Sequence, residues 1–415
     1  MKRIVFFTLS PIPYGNNITD GSGFRIWGLA NYLKKSNEVT ILTLYNSYIK
    51  GSKTTYNTTQ DGLDIREITY KPTSVAKNLR QIKPDVLIFS NWSSYVFASW
   101  FKRDIPVVMD YVGPSLMENL MFRRTNPAIL SRLKLRSFNI ADYMITTTER
   151  LRYYLLGSMI RSSRLRKYEV GDPIVQVVPI FPPSNPLCAV DENLGGSEGG
   201  QEFTMLLPGA IVPWYDYDTV LRALSRLKRE GKKFKLIIMG EAAPSLSWAG
   251  GQGILRTCDD LGLTENIIVT GLVPFNQRGK FYLNADVGIV PNRNTLENDL
   301  SARVRVIDCL WGNLPMVTPG GDEYSEIALE SGCAFRYSFN DSNSLLKVLT
   351  CLIDNRDALN VARKNITSLV SKKFNADALV KPFEKYIEAS KPGGNRGALF
   401  SAATGLGPYL RNLAK

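Results

Sequence analysis

Between Pro291 and Pro315 the sequence gathers the residue types that a phosphate-bearing ligand needs. Asn292-Arg293-Asn294-Thr295-Leu296-Glu297-Asn298-Asp299 reads as a loop rich in amides and acids, and a helix is expected to begin near Ser301. Arg303 would then lie in the first turn, while Arg305 and Asp308, three apart, share one helical face. A helix N-terminus offers oriented N–H groups, and a guanidinium can grip two oxygens of a diphosphate at once. A carboxylate further along, Asp308, could accept hydrogen bonds from ribose hydroxyls. A surface cluster of ion pairs would have the same composition, and both readings stand at this level.

A second candidate lies near the start, at Asp20-Gly21-Ser22-Gly23-Phe24-Arg25. A Gly-Ser-Gly turn opening a helix can bring backbone N–H groups close to an anion. A dinucleotide fingerprint would require a third glycine where Ile26 stands, and no Walker lysine follows. A tight turn that only packs is the alternative. Asp110 ends the run Val107-Val108-Met109 and lies where a strand hands over to a loop, a position that can also cap the next helix.

The chain has no histidine. The usual general base, the usual zinc ligand and every Ser-His or Cys-His nucleophile pair are therefore excluded. Cys188, Cys258, Cys309, Cys333 and Cys351 are scattered, so neither a zinc site nor a disulfide framework is indicated, and a reducing cytoplasm fits. The net charge of +13 is uneven: residues 1–183 hold 25 Lys and Arg against 13 Asp and Glu, leaving 26 against 25 for the rest. The excess concentrates in Arg123, Arg124, Arg132, Lys134, Arg136, Arg150, Arg152, Arg161, Arg164, Arg166 and Lys167, interleaved with Leu, Phe, Tyr and Ile. That pattern suits a solvated helix face, or contact with an anionic membrane surface or phosphorylated acceptor. A nucleic-acid partner is not expected.

The elements that must position these residues are parallel strands alternating with helices. Strands are predicted at Arg3–Leu9, Glu38–Leu44, Val86–Phe89, Val107–Met109, Tyr143–Thr146 and Val175–Val178. Several are continuous Val/Ile/Leu/Phe runs, as expected of strands covered on both faces. Met1-Lys2-Arg3 with the run that follows reads as a buried first strand, not a signal peptide, because no small-residue cleavage site closes it. Residues 182–202, rich in Pro, Gly, Ser and Asn, read as a linker. Strands then resume at Thr204–Leu207, Phe234–Met239, Ile267–Thr270, Val287–Val290 and Met316–Thr318. The expected architecture is α/β: two doubly wound Rossmann-like domains, 1–181 and 203–374, facing across a cleft. A helix at 375–390 would cross back to the first domain, and a Gly-rich tail occupies 391–415. No apolar run approaches the roughly 18–20 residues that span a bilayer.

This layout resembles the retaining nucleotide-sugar glycosyltransferases of glycosyltransferase family 4, which have the GT-B fold. Gly21-Ser22-Gly23-Phe24-Arg25 through Leu29-Ala30 is similar to the family's opening turn and helix. Asp308 followed by Gly312-Asn313-Leu314-Pro315-Met316-Val317-Thr318 is similar to its second acid and Gly-x-Pro-Val-Val segment, and Gly320-Gly321-Asp322-Glu323 with Glu326 to the segment after it. Three features depart from the pattern. The family's two acids are glutamates separated by seven residues, whereas Leu300 holds the first-acid position and Glu297 stands eleven before Asp308. Its Arg and Lys after the first strand of the second domain are replaced by Gly209-Ala210-Ile211-Val212-Pro213-Trp214-Tyr215. Its first-domain histidine has no counterpart, and Asp110 stands where that role could be filled.

The resemblance implies sugar transfer from a nucleoside-diphosphate sugar to an acceptor hydroxyl, with retention, without a protein nucleophile, metal or cofactor, the nucleotide-sugar being a co-substrate. Preorganised charge would carry the catalysis. Glu297 would hold sugar hydroxyls, Arg303 and Arg305 the diphosphate in place of the missing cations, and Asp308 the ribose. Gly209 and Asp322 would border the sugar donor, and Gly21 and Gly23 would approach it from the first domain. The expected acceptor is a glycan, a lipid-linked glycan or a small molecule, met by the first domain in the cytoplasm or at the membrane's cytoplasmic surface. Two other readings remain: inversion with Asp20 or Asp110 as base, and a catalytically silent GT-B partner or regulator of another transferase.

Overall fold

The computed structural model describes residues 1–15, 17–46, 55–90, 105–122, 126–160, 162, 174–185, 187, 202–240 and 250–390. They divide into two units, one spanning Met1–Ile180 and joined by the helix that starts at Ala376, the other spanning Phe181–Asn375. Most of the interdomain stretch, the tail from residue 391, and Arg123, Arg124, Arg161, Arg164, Arg166 and Lys167 lie outside the described residues.

The first unit runs β1 (Arg3–Thr8), α1 (Gly21–Leu33), β2 (Glu38–Thr43), β3 (Tyr56–Gln60), β4 (Leu63–Glu67), α2 (Pro72–Ile82) and β5 (Val86–Ser90). It continues through β6 (Val107–Tyr111), α3 (Ser115–Phe122), α4 (Pro127–Ile140), β7 (Tyr143–Thr146), α5 (Glu149–Met159) and β8 (Gln176–Val177). The sheet order is β3-β4-β2-β1-β5-β6-β7-β8. All neighbours are parallel except β3 and β4, a hairpin turned by Asp61 and Gly62 with positive φ. The unbroken apolar run of β1 is buried from Ile4 onward, which is why it takes the centre of the sheet. The β3–β4 hairpin is a departure from the sequence expectation. Asn57-Thr58-Thr59-Gln60 carries no apolar signal, because this edge strand has little to bury.

The second unit runs β9 (Phe203–Pro208), α6 (Tyr217–Arg229), β10 (Phe234–Met239), α7 (Gly250–Asp260), β11 (Ile267–Val269), α8 (Gly279–Leu283), β12 (Val287–Ile289) and α9 (Leu296–Leu300). Then come α10 (Val304–Trp311), β13 (Met316–Thr318), α11 (Glu323–Glu330), β14 (Ala334–Arg336), α12 (Ser342–Asp354) and α13 (Asp357–Lys373). The sheet is β11-β10-β9-β12-β13-β14 and wholly parallel. The last helix, α14 (Ala376–Ala389), packs against α1 in the first unit, and its Tyr386 ring stacks on Tyr143 at 3.7 Å.

Each sheet has one place where the chain reverses its direction of growth. In the second it lies between β9 and β12: the chain runs outward from β9 to β11 and resumes on the other side at β12. Loops leaving the carboxyl ends of two strands diverge there and leave room for a ligand. In the first sheet the corresponding place lies between β1 and β5.

Candidate functional site

The loops after β9 and β12 are laced together. Tyr215 and Asn292 form a backbone bridge, the Asp216 N–H donates to Pro291 O at 2.7 Å, and the Arg293 N–H donates to Trp214 O at 3.1 Å. Just beyond the end of β9, Gly209 takes a φ of +81°, a region that favours glycine. A Cβ on Gly240, just beyond the end of β10, would fall 2.4 Å from Gly209 O, so the two strand ends pass too closely for any side chain there.

Arg305 fills the space over Gly209. Its Nε would lie 3.1 Å from a Cβ placed on that glycine, and its guanidinium carbon lies 3.8 Å from the centre of the Tyr215 ring. Nη2 donates to Ala210 O, whereas Nη1 is buried with no hydrogen-bond partner. One turn further along α10, Asp308 Oδ2 accepts from Arg278 Nη1 at 3.3 Å and from the Tyr282 hydroxyl at 3.2 Å. Its other oxygen, Oδ1, is buried and unpaired. Burial raises the Asp308 pKa, while Arg278, Tyr282 and Arg305 pull against that rise. The result is a cation with one open NH2 and a carboxylate with one open oxygen on the same helical face.

Arg303 has a different fate. α9 starts at its cap Thr295, and the chain breaks at Ser301 before α10 begins at Val304, leaving Arg303 at the N-cap position. That break folds Arg303 back onto α9. Nη1 and Nη2 donate to the two Glu297 oxygens at 3.0 and 2.7 Å, and Nε and Nη2 to Asn298 Oδ1 at 3.3 and 3.0 Å. The Ser301 hydroxyl also lies 2.6 Å from Glu297 Oε1. Burial works against the Arg303 charge, yet Tyr215 and Glu297 hold its pKa above the ordinary value. Arg303 thus faces Glu297, and Glu297, 2% exposed, is held by Arg303 and Ser301.

Asp322 is also inside the fold. It caps α11 through Oδ1, which accepts from the Tyr324 and Ser325 N–H groups at 3.1 Å each, and Oδ2 accepts from Asn292 Nδ2 at 2.9 Å. Fully buried, it anchors the loop after β12 to α11. The residues that sequence reasoning missed are Tyr215, Arg278, Tyr282, Asn292 and Asn298. Only Arg278 and Tyr282 carried a signal, their four-residue spacing on one helical turn.

In the first unit Asp20 is exposed and caps α1, its Oδ1 accepting from the Gly23 N–H at 2.7 Å. Gly23 has no room for a side chain, since a Cβ would fall 2.0 Å from Pro11 O. Gly21 starts the helix. Asp110 is 1% exposed, and its Oδ2 accepts from Arg25 Nε at 2.7 Å. Its other oxygen, Oδ1, is buried without a hydrogen-bond partner. Among the described residues, no three Cys, Asp or Glu side chains converge as metal ligands.

These two doubly wound parallel-sheet units, each with a switch in strand order, have the GT-B architecture. Residues 196–298 match the family model of glycosyl transferases group 1. Over 192 residues the chain is 27% identical to D-inositol 3-phosphate glycosyltransferase of Segniliparus rotundus, covering 44% of this chain and 41% of that protein. The chain thus aligns with less than half the length of this curated relative. Among solved structures it resembles sucrose-phosphate synthase of Thermosynechococcus elongatus, with a TM-score of 0.71 at 13% identity over 94% of this chain and 98% of that one. It also resembles WaaG, a glycosyltransferase of lipopolysaccharide biosynthesis, with a TM-score of 0.63 at 13% identity, covering 93% and 100% of the two chains. HepE of Anabaena, solved with UDP and glucose, gives 0.64 at 13% identity, covering 94% and 100%.

Proposed function

We propose that the chain is a glycosyltransferase that holds a nucleoside-diphosphate sugar in its second unit and passes the sugar to an acceptor hydroxyl. The observation that carries this reading is the open pair on α10, Arg305 Nη1 and Asp308 Oδ1. A buried polar atom without a partner costs free energy on the order of 1–3 kcal/mol, so a site that leaves a donor and an acceptor unsatisfied is one that a ligand completes. A diphosphate oxygen supplies what Nη1 lacks, and a ribose hydroxyl supplies what Oδ1 lacks. The solved complexes of HepE with UDP-glucose add support, since that protein shares the fold.

In this reading Arg305 alone takes over the diphosphate charge. It is held in place by the Tyr215 ring and Ala210 O, and Gly209, lacking a side chain, leaves the room that its guanidinium occupies. Transfer proceeds with retention and without metal or cofactor: the guanidinium and strand-end N–H groups stabilise the departing nucleoside diphosphate, and one of its oxygens takes the acceptor's proton. The first unit receives the acceptor. The exposed cations Arg132 and Arg150, with half-buried Arg136 and Arg152, lie on α4 and α5, with exposed Tyr153 on α5 and exposed Ile160 just after it. Such a surface suits a lipid-phosphate-linked glycan at an anionic, cytoplasmic membrane face better than a small free acceptor.

The missing Arg/Lys pair, together with the inward-facing Glu297, favours one other reading, a catalytically silent partner protein. A thermal-shift screen against UDP, GDP, CDP, ADP and dTDP and their sugar conjugates, with and without EDTA, separates the two. Stabilisation by one base, unchanged by EDTA, supports a working transferase. A flat response from folded protein supports the silent partner.

A further inference from the structure

The loop from Gly209 to Asp216, between β9 and α6, holds neither lysine nor arginine, so a cation for a phosphate at this strand end must come from elsewhere in the chain. What the loop and the start of α6 supply instead is aromatic. Tyr215 and Tyr217 are each 3% exposed and meet edge to face at 6.3 Å. The Tyr215 ring meets two guanidiniums, with the carbon of Arg305 3.8 Å and that of Arg303 5.2 Å from its centre. The Tyr217 hydroxyl accepts from the Val212 N–H at 3.1 Å and lies 3.5 Å from Ala210 O, the carbonyl to which Arg305 Nη2 donates. Burial raises the Tyr217 pKa and Arg305 pulls against that rise, as expected of a cation beside the hydroxyl.

Tyr215 is itself anchored. Its N–H donates to Val212 O at 3.3 Å, its carbonyl accepts from Arg293 Nε at 3.0 Å, and its backbone bridges to Asn292. Apolar side chains would fill the same space, but they offer neither a ring face nor a hydroxyl. A cation over an aromatic face is held by the ring's quadrupole, more strongly where water is absent, and a guanidinium is planar. The ring therefore limits the tilt of the Arg305 guanidinium, and Ala210 O limits its rotation. With both restricted, the direction of Nη1, buried and without a partner, is restricted as well.

We propose that Tyr215 and Tyr217 are positioning residues that aim the open NH2 of Arg305 at a diphosphate, the ring by limiting the tilt of the guanidinium and the hydroxyl by fixing the carbonyl it leans on. The inference rests on the reading of Arg305 as the diphosphate cation. It makes affinity a property of the loop after β9 as much as of α10, and any loss on changing either tyrosine must pass through Arg305.

The test is a double-mutant cycle in the full chain. Tyr215→Leu, Tyr215→Phe and Tyr217→Phe are made in the wild type and in Arg305→Ala, each checked for folding by Tm. The probe is the one of UDP, GDP, CDP, ADP and dTDP that the wild type binds, titrated calorimetrically. Tyr215→Leu should weaken binding about tenfold, or about 1.4 kcal/mol, Tyr217→Phe about threefold, and Tyr215→Phe, which keeps the ring, less than about twofold. In the Arg305→Ala background none of the three should change affinity by more than about twofold. Equal losses in both backgrounds, or wild-type affinity in folded Tyr215→Leu, overturn the proposal. If Tyr215→Leu does not fold, Tyr217→Phe decides, and wild-type affinity there overturns it. A wild type that binds none of the five fails the diphosphate reading, and the proton NMR signal of Arg305 Nε–H then tests the positioning. A ring face 3.8 Å from the guanidinium carbon should shift that signal upfield, an effect lost in Tyr215→Leu and kept in Tyr215→Phe. An unchanged signal in Tyr215→Leu overturns it.

Discussion

Arg303 and Arg305 are two residues apart at the start of one helix, both nearly buried and both against the Tyr215 ring, yet they do different work. Arg303 donates to Glu297 and Asn298 through all three of its nitrogens. Arg305 meets a backbone carbonyl and a ring face and keeps Nη1 open. A closed pair stabilises the loop that carries it, and an open cation stores unsatisfied binding capacity for a ligand. The contrast teaches that two buried cations on one helix can differ in whether their hydrogen-bond capacity is already met.

The largest effect should come from breaking the closed pair. Glu297→Ala leaves Arg303 buried without its carboxylate and should lower unfolding stability by about 3–5 kcal/mol, measured by urea titration. A loss below about 1 kcal/mol would mean the pair does not hold the loop. Arg305→Ala should do the opposite, leaving the urea midpoint close to wild type and reducing turnover at limiting sugar donor by about 100-fold, or about 2.7 kcal/mol. Lys134 in α4 extends the comparison to a buried cation facing aromatic rings, with Nζ 3.8 Å from the centre of Tyr154, and burial pulls its pKa down to about 7. Between that value and the ordinary lysine pKa the unfolded chain binds the extra proton, so stability should rise as the pH rises through this window. Lys134→Met should therefore stabilise the protein at pH 7 by about 2 kcal/mol, with the gain shrinking toward pH 10. A gain independent of pH would show that the lysine does not titrate there. The smallest effect is expected of Asp308→Asn, whose one oxygen stays on Arg278 and Tyr282 and whose NH2 then faces the ribose, and which should raise the sugar-donor KM about tenfold with kcat little changed. A change in kcat alone would place Asp308 elsewhere in the mechanism.

Much of this fold was legible in the chain. The uninterrupted apolar runs at Ile4–Phe7 and Leu236–Met239 mark buried parallel strands because both sheet faces are covered. The edge strands β3 and β14 escaped notice for the converse reason: polar or very short edge strands bury too little to leave a pattern, and β4 offers only Leu63 and Ile65 between polar residues. At the site, the three-residue spacing of Arg305 and Asp308 survives because it depends only on helical geometry. The Glu297–Arg303 pairing was hidden, since residues six apart in a continuous helix do not face each other and the break at Ser301 brings them together. Arg25 and Asp110 lie farther out of reach, because only the order of strands in the sheet joins residues that far apart. The four-residue spacing of Arg278 and Tyr282 sets them on one turn, but only packing brings that turn to Asp308.

The most direct test of the central claim is calorimetric titration of nucleoside diphosphates into the wild type, Arg305→Ala and Arg303→Lys, each shown to be folded. The account predicts that the wild type binds one diphosphate, that Arg305→Ala loses about 100-fold in affinity, and that Arg303→Lys, whose ammonium can still meet Glu297, binds within about threefold of wild type. Equal binding by wild type and Arg305→Ala, or a larger loss in Arg303→Lys than in Arg305→Ala, would contradict it.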